Sequence, residues 1–345
     1  MLDVYERRTQ KVKHRRLFLF LLVFAASVLL SVAGIGPAAE RVEIREWNVP
    51  TLNSRPHDPA VAPDGSLWYT GMTSNTLGRV SPKTGEIKEF PLRTPGSGPH
   101  GLAADKEGNI WFTANYKGYI GKLDPGSGIV TEYAMPDPAA RDPHTPVFDQ
   151  KGVLWFTVQE GNFVGRLVPQ TGVISLKKVP TPNSRPYGIL VNSKGVPFFC
   201  EFGTNKLASI NPGTMEITEY LLPEGARPRR FAITSGDMIY YSDFARGYLG
   251  LLDPNSREVR EWPSPGGAGS RPYGIAVTPD GAVWYSESGV NPNTIVRFDP
   301  GSKAFAAWPI PSGGGVVRHM VSTLEGDLYI ACSGVNKVGI VKVTR

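Results

Sequence analysis

The stretch Arg271–Glu287, RPYGIAVTPDGAVWYSE, decides the fold because blurred copies of it recur along the chain. RPHDPAVAPDGSLWYTG starts at Arg55, GPHGLAADKEGNIWFTA at Gly98 and DPHTPVFDQKGVLWFTV at Asp142. RPYGILVNSKGVPFFCE starts at Arg185, RPRRFAITSGDMIYYSD at Arg227 and VVRHMVSTLEGDLYIAC at Val316, making seven copies in all. The bulky residue near the close of each copy is Trp68, Trp111, Trp155, Phe198, Tyr240, Trp284 or Tyr329, at intervals of 43, 44, 43, 42, 44 and 45 residues. A fixed period of this size marks a repeat architecture, and four short strands per unit is its all-β form.

Each unit reads as four strands. GIAVTP is the first, Pro-Asp-Gly the turn and AVWYSE the second, with apolar residues alternating against small or polar ones. A Gly/Asn-rich loop follows, then a third strand such as IGKLDP and a fourth such as IKEFPL. Helices are excluded because 39 Gly and 31 Pro interrupt the pattern every few positions. The expected fold is therefore an all-β, seven-bladed β-propeller spanning residues 41–345. VEIREWNVP (42–50) matches a fourth strand, whereas the closing VGIVKVTR matches a third. The first segment is thus expected to pair onto the last blade and close the ring, covering two open edges.

Residues 1–40 differ in kind. Met1–Arg16 carries six Lys/Arg against Asp3 and Glu6, and Leu17–Ala39 runs 23 residues without a charge. A basic start, an apolar run and small residues afterwards make an export signal, with Ser31-Val32-Ala33 and Pro37-Ala38-Ala39 both acceptable for cleavage. The run over residues 17–39 is also long enough to span a bilayer, so a cleaved signal peptide and an uncleaved inner-membrane anchor both remain open. The basic flank orients the propeller outward, toward a periplasmic or other extracytoplasmic location. Membrane contact is expected only through this segment, and the propeller is expected to be a monomer.

The net charge of +6 is mostly local, because six basic less two acidic residues in 1–16 leave +4 there. The rest is no footprint for nucleic acid. Cys200 and Cys332 fall in blades four and seven, where two buried thiols are expected rather than a disulfide.

Candidate chemistry gathers at one rim of the channel. The residue after each repeat's opening Pro starts the inner strand, and the residue 14 positions on ends the next. The first position reads His57, His100, His144, Tyr187, Arg229, Tyr273 and Arg318; the second reads Gly71, Ala114, Val158, Glu201, Asp243, Glu287 and Cys332. Three histidines on consecutive blades are thus expected to face three acids across the channel. An Arg two residues before the first position accompanies each acid (Arg185, Arg227 and Arg271), so these acids can equally fasten linkers to blades. The aromatic residues near each motif's end are core, and Asn75, Asn115, Asn162, Asn205 and Asn336 are turn chemistry.

The repeated P-[HY]-G-I…DG…W-[FY]-[TS]-E unit, with its IGRLDP-like and ITEYPLP-like continuations, resembles the streptogramin B (virginiamycin B) lyase family over about residues 42–345. The resemblance implies a seven-bladed propeller and a magnesium-assisted elimination across the ester C–O bond of a cyclic depsipeptide. It implies a His as base and two Glu in the same blade as metal ligands, from Glu-Pro-His-Gly followed by a Glu 14 positions after the His. Gly98-Pro99-His100-Gly101 keeps Pro-His-Gly but has Gly98 and Ala114 where the carboxylates belong. Asp142-Pro143-His144 keeps an acid and the His but has Val158 at the third position, with Glu160 two residues on. Arg185-Pro186-Tyr187 and Arg271-Pro272-Tyr273 keep only the closing Glu.

Three functions follow. One is a lyase on a cyclic or ester-containing peptide, with His144 or His100 as base. Its magnesium ligands would come from Asp142, Glu160, Glu201, Asp243 and Glu287. The second is a non-catalytic envelope propeller binding a small molecule, peptide or protein at the rim through His57, Tyr187, Arg229, Tyr273 and Arg318. The third is a metal-dependent, lactonase-like hydrolase built from the rim acids.

Overall fold

Tight turns come first, because each blade must reverse direction every few residues. In blade one, Gly65 N donates to Ala62 O at 2.9 Å and Ala62 N to Ser66 O at 3.0 Å. Gly65 sits at φ 77°, a left-handed backbone that glycine adopts without a Cβ clash. The computed structural model describes residues 41–344, so the export segment expected over 1–40 lies outside the described residues. Blade one comprises Pro56–Val61, Leu67–Gly71, Thr76–Val80 and Ile87–Pro91, paired antiparallel in that order. Six further sheets of four strands complete a seven-bladed propeller. Among the described residues no helix is long and apolar enough to cross a membrane.

The ring closes as the ends of the sequence demand. Arg41–Asn48 pairs antiparallel with Lys337–Thr344, from Arg41 opposite Thr344 to Asn48 opposite Lys337. Asn336 then clamps the linker into blade one: its Nδ2 donates to Val49 O and Thr51 O at 3.2 and 3.0 Å, and Ser54 N donates to its Oδ1 at 2.9 Å. Asn75, Asn162 and Asn205 donate through Nδ2 in the same way to the linkers beyond their own blades. These asparagines join one blade to the next, more than the local turn chemistry expected of them.

The core lies between neighbouring blades rather than at one centre. Trp68, Leu77 and Phe90 of blade one pack with Leu102, Ile110 and Phe112 of blade two. Trp68, Trp111, Trp155 and Trp284 are almost completely buried, as their periodic placement requires. Gly121 lies under the Phe112 ring, where any Cβ would strike the aromatic carbons, so the third strand needs glycine there.

One recurring device places the rim. Each inner strand shifts register just after its opening residue, a Pro in six blades and Val317 in the seventh. Such a bulge removes an N–H from the ladder. In five blades a hydroxyl two residues beyond the core aromatic takes that N–H and donates to a carbonyl at the start of the next blade's inner strand. Gly101 N donates to Thr113 Oγ1 at 2.8 Å, and Thr113 Oγ1 donates to His144 O at 2.7 Å. Thr70, Thr157, Ser242 and Ser286 repeat the relay to His100 O, Tyr187 O, Tyr273 O and Val317 O. Cys200 occupies this position in blade four and Ala331 in blade seven. Cys200 and Cys332 are both free and buried, as expected. Burial pushes both thiols far up, which suits packing rather than nucleophilic chemistry.

Candidate functional site

The relay brings the first-position side chains together at the channel. His57, His100 and His144 overlap like steps, with ring centroids 3.8 and 3.9 Å apart, and Tyr187 follows at 4.0 Å. The Tyr187 and Tyr273 hydroxyls meet in a hydrogen bond. His57, His100 and His144 are 2%, 5% and 2% exposed, so they form the wall of the channel rather than an open rim. Burial lowers His57 to about 4 and takes His100 and His144 well below the usual imidazole range. The neighbouring imidazoles add to the push on His100, and the Arg230 charge adds to that on His144. All three rings are therefore neutral near pH 7. His57 Nδ1 lies 2.8 Å from Asp58 Oδ1 and His144 Nδ1 2.9 Å from Thr145 Oγ1, whereas His100 Nδ1 is buried without a partner.

Asp58 and Arg230 were not among the residues singled out by the repeat. Arg230 Nη2 donates to Asp58 Oδ1 and Oδ2 at 2.9 and 2.8 Å, joining blade five to blade one across 172 residues. Both side chains are at least 98% buried. Burial alone would raise the Asp58 carboxyl, but the Arg230 charge and the His57 bond outweigh it and hold the group well below its ordinary value. A sequence signal for the pair existed. The residue after each first position reads Asp58, Gly101, Thr145, Gly188, Arg230, Gly274 and His319, so the acid and the base break a mostly small-residue column.

The acids do not face the histidines. Glu201 pairs with Pro186, one residue short of Tyr187, and Glu287 pairs with Pro272 in the same way. In a strand, a one-residue offset moves a side chain to the other face. Asp243 and Glu287 are therefore spent on their own blade and the linker leading into it, whereas Glu201 Oε1 is buried without a partner. Asp243 accepts from Arg227 N, Ala245 N and Arg246 N at 3.0 to 3.2 Å and from Arg246 Nε at 2.5 Å. Glu287 accepts from Ser264 Oγ, Gly266 N and Thr294 Oγ1 at 2.5, 2.7 and 2.6 Å. Glu201 accepts from Thr204 Oγ1 at 3.1 Å, and burial, with Glu219 nearby, raises it to about 8. Asp142 braces the next loop by accepting from Glu160 N and Gly161 N at 2.6 and 3.1 Å. Glu160 itself is exposed and paired with Arg185.

The expected Arg–acid pairs within blades four to six do not form through the guanidinium groups. Arg185 turns to Glu160, Arg227 Nη1 donates to Ala226 O at 2.8 Å, and the Arg271 guanidinium lies over the Phe244 ring. These three arginines instead line a cleft of about 700 Å³ with Asn183, Phe202 and Phe244. Arg229 packs against two of its lining rings, its guanidinium 4.0 to 5.1 Å from the ring centres of Tyr273, Phe244, Phe202 and Tyr187. Arg318 belongs to a smaller cleft with Arg55, between blades seven and one.

Magnesium takes oxygen ligands in near-octahedral array. Among the described residues the only donors of three side chains that converge are those of His57, Asp58 and His100, within 4.8 Å of one another. That set offers one carboxylate, which already holds Arg230. It does not fit magnesium, and Asp142, Glu160, Glu201, Asp243 and Glu287 do not gather with a histidine.

Fold and rim together define a seven-bladed propeller with a basic, aromatic-walled cleft at one mouth of its channel. A profile of the virginiamycin B lyase family matches residues 28–267, and the chain belongs to that family. In structure it is similar to a streptogramin B lyase, at 25% identity and a TM-score of 0.80 over 88% of this chain and 98% of that one. It is similar to selenomethionine-substituted virginiamycin B lyase from Staphylococcus aureus, at 24% identity and a TM-score of 0.80, covering 88% and 100%. A catalytically inactive His→Ala variant of the Staphylococcus aureus enzyme with quinupristin gives 24% and 0.79 over the same shares. No curated protein matches the chain.

Proposed function

We propose that this chain is an exported, monomeric propeller of the virginiamycin B lyase family that binds a small molecule or peptide at its rim, with ester elimination weak or absent. One observation carries the reading: among the described residues no blade joins a histidine to two carboxylates free to hold a metal. Asp142 is engaged by Glu160 N and Gly161 N, and Glu160 by Arg185. An enolate needs preorganised charge stabilisation, and losing one such stabiliser costs on the order of a hundred- to a thousand-fold in rate. Export rests on the basic and apolar pattern of residues 1–39 alone.

The lyase reading has one observation in its favour. His100 is neutral with a buried, unpartnered Nδ1, as a base must be. Incubating the purified protein with a streptogramin B antibiotic, with and without magnesium, tests both. The binding reading expects the antibiotic to remain cyclic, and His100→Ala and His144→Ala to leave the trace unchanged. Magnesium-dependent linearisation at enzymatic rates, lost on chelation and in either variant, would overturn it and make the protein a lyase.

A further inference from the structure

The cleft over blades four to six has a chemistry of its own. Arg185, Arg227 and Arg271 reach it from three successive blades, and no carboxylate lines it. Arg185 is partly neutralised by the exposed Glu160, but Arg227, Arg229 and Arg271 have no ion pair among the described residues.

The walls are flat and apolar. Phe202 and Phe244 are half-buried, with ring centroids 6.0 Å apart at 80°, and Phe244 meets Tyr273 edge-on at 5.6 Å. Arg229 is caged by the same rings, and its Nε is buried without a hydrogen bond. Its positive charge is thereby held against two of the rings that line the cleft, where aromatic faces rather than acids surround it. At about 700 Å³ the volume falls in the usual range for small-ligand sites, roughly 300–1,000 Å³.

We propose that this cleft binds an oxyanion joined to a flat apolar group. Arg227 and Arg271 hold the anion, Phe202 and Phe244 take the apolar group, and Arg229, packed on those rings, supplies fixed positive potential. Planar guanidinium forks suit carboxylate and phosphate equally. The proposal deepens the rim-binding reading and rests on it.

Titration calorimetry on the purified full chain tests it with four probes. N-acetylphenylalanine and phenyl phosphate carry both features, N-acetylphenylalaninamide lacks the charge, and inorganic phosphate lacks the ring. Both aromatic anions are expected to bind at least about tenfold more tightly than either control. That advantage should fade as salt rises from about 50 to about 500 mM, and the tighter of the two distinguishes a carboxylate from a phosphate ligand. The Arg227→Gln/Arg271→Gln double variant should lose at least about tenfold in affinity at unchanged melting temperature. Arg227→Lys/Arg271→Lys serves as a second, charge-conserving variant and should retain part of the binding. If the amide binds as tightly as the acid, or the glutamine variant keeps full affinity, the anion assignment falls while rim binding survives. If none of the probes binds and a streptogramin B antibiotic does not bind either, both fall.

Discussion

Blades one to three and blades four to six are built from the same repeat, yet their mouths are opposite in character. In the first group the first-position residues are histidines, in close tilted contact, neutral and almost wholly buried. In the second they are Tyr187, Arg229 and Tyr273, beside a cleft lined by three more arginines. The two halves are tied through the channel by Asp58 and Arg230. The comparison teaches that a repeat transmits backbone geometry faithfully while leaving the chemistry of each copy open. Relays through Thr70, Thr113, Thr157, Ser242 and Ser286 place the strands alike, whichever side chain the rim then carries.

The tie between the halves should carry the largest effect. Removing one partner of a buried pair leaves the other charge unmatched and costs about 3–5 kcal/mol. Arg230→Met and Asp58→Asn are each expected to lose stability on that scale in denaturant melts. The Asp58→Leu/Arg230→Met double variant should recover most of it. Single losses below about 1 kcal/mol would show that the halves stand without the tie.

Acid should attack the histidine half. His57 at about 4, His319 at about 3, and His100 and His144 well below 6.5 are neutral when folded but protonate near 6.5 when unfolded. The unfolded chain then binds more protons, so stability falls as pH drops below 6.5, by about 1.4 kcal/mol per pH unit for each ring. Glu201 acts in the opposite sense. Its folded value of about 8 lies above its unfolded 4.5, so it contributes stability at low pH that is lost between 4.5 and 8. A stability maximum at about pH 7 is expected, read as the denaturation midpoint from pH 4.5 to 8. Glu201→Gln should flatten the alkaline side and steepen the acid side, and His100→Asn should soften only the acid side.

The relay gives a smaller and more local contrast. Thr113→Val keeps the shape but leaves the Gly101 N–H and the His144 carbonyl without their partner, at about 1–3 kcal/mol. Cys200→Ser, which installs the same hydroxyl in blade four, should change stability by less than about 1 kcal/mol. Equal effects at the two sites would mean that the relay does not distinguish the halves.

The smallest effect on folding is expected at the cleft. Arg271→Gln and Arg227→Gln touch neither the core nor a buried ion pair, so melting should shift by no more than about 0.5 kcal/mol equivalent. A larger loss would mean that these arginines support the blades.

Much of this was legible in advance. The regular spacing of Trp68, Trp111, Trp155 and Trp284 gave away the blade count, because each must fill the wedge between neighbouring blades. The fourth-strand pattern of residues 42–50 announced the closure, since two open edges have no cheaper solution. Clustering of His57, His100 and His144 was also readable, because equal positions in a ring of repeats are neighbours in space. The facing acids were not. A register shift after Pro186 and Pro272 turns Glu201 and Glu287 away from the channel, and a bulge of one residue leaves no mark on a 43-residue period. The partners of Arg185 and Arg271 were likewise unreadable from spacing.

The sequence by itself determined seven blades, a core between them, a ring closed by its own ends and a histidine on each of three successive inner strands. Local pattern suffices for these, because alternation and turn residues act within a few positions and the period copies the result around the ring. Only the tertiary structure decided what the rim can do. It sank the histidines into the channel wall and engaged Asp142, Asp243 and Glu287 in bracing loops and linkers. It set Arg230 against Asp58 at a separation of 172 residues, and among the described residues it left the Arg227 and Arg271 guanidinium groups without an ion pair. Charge pairing depends on distances of a few ångströms between chain segments far apart in sequence, and those distances exist only once the ring has closed.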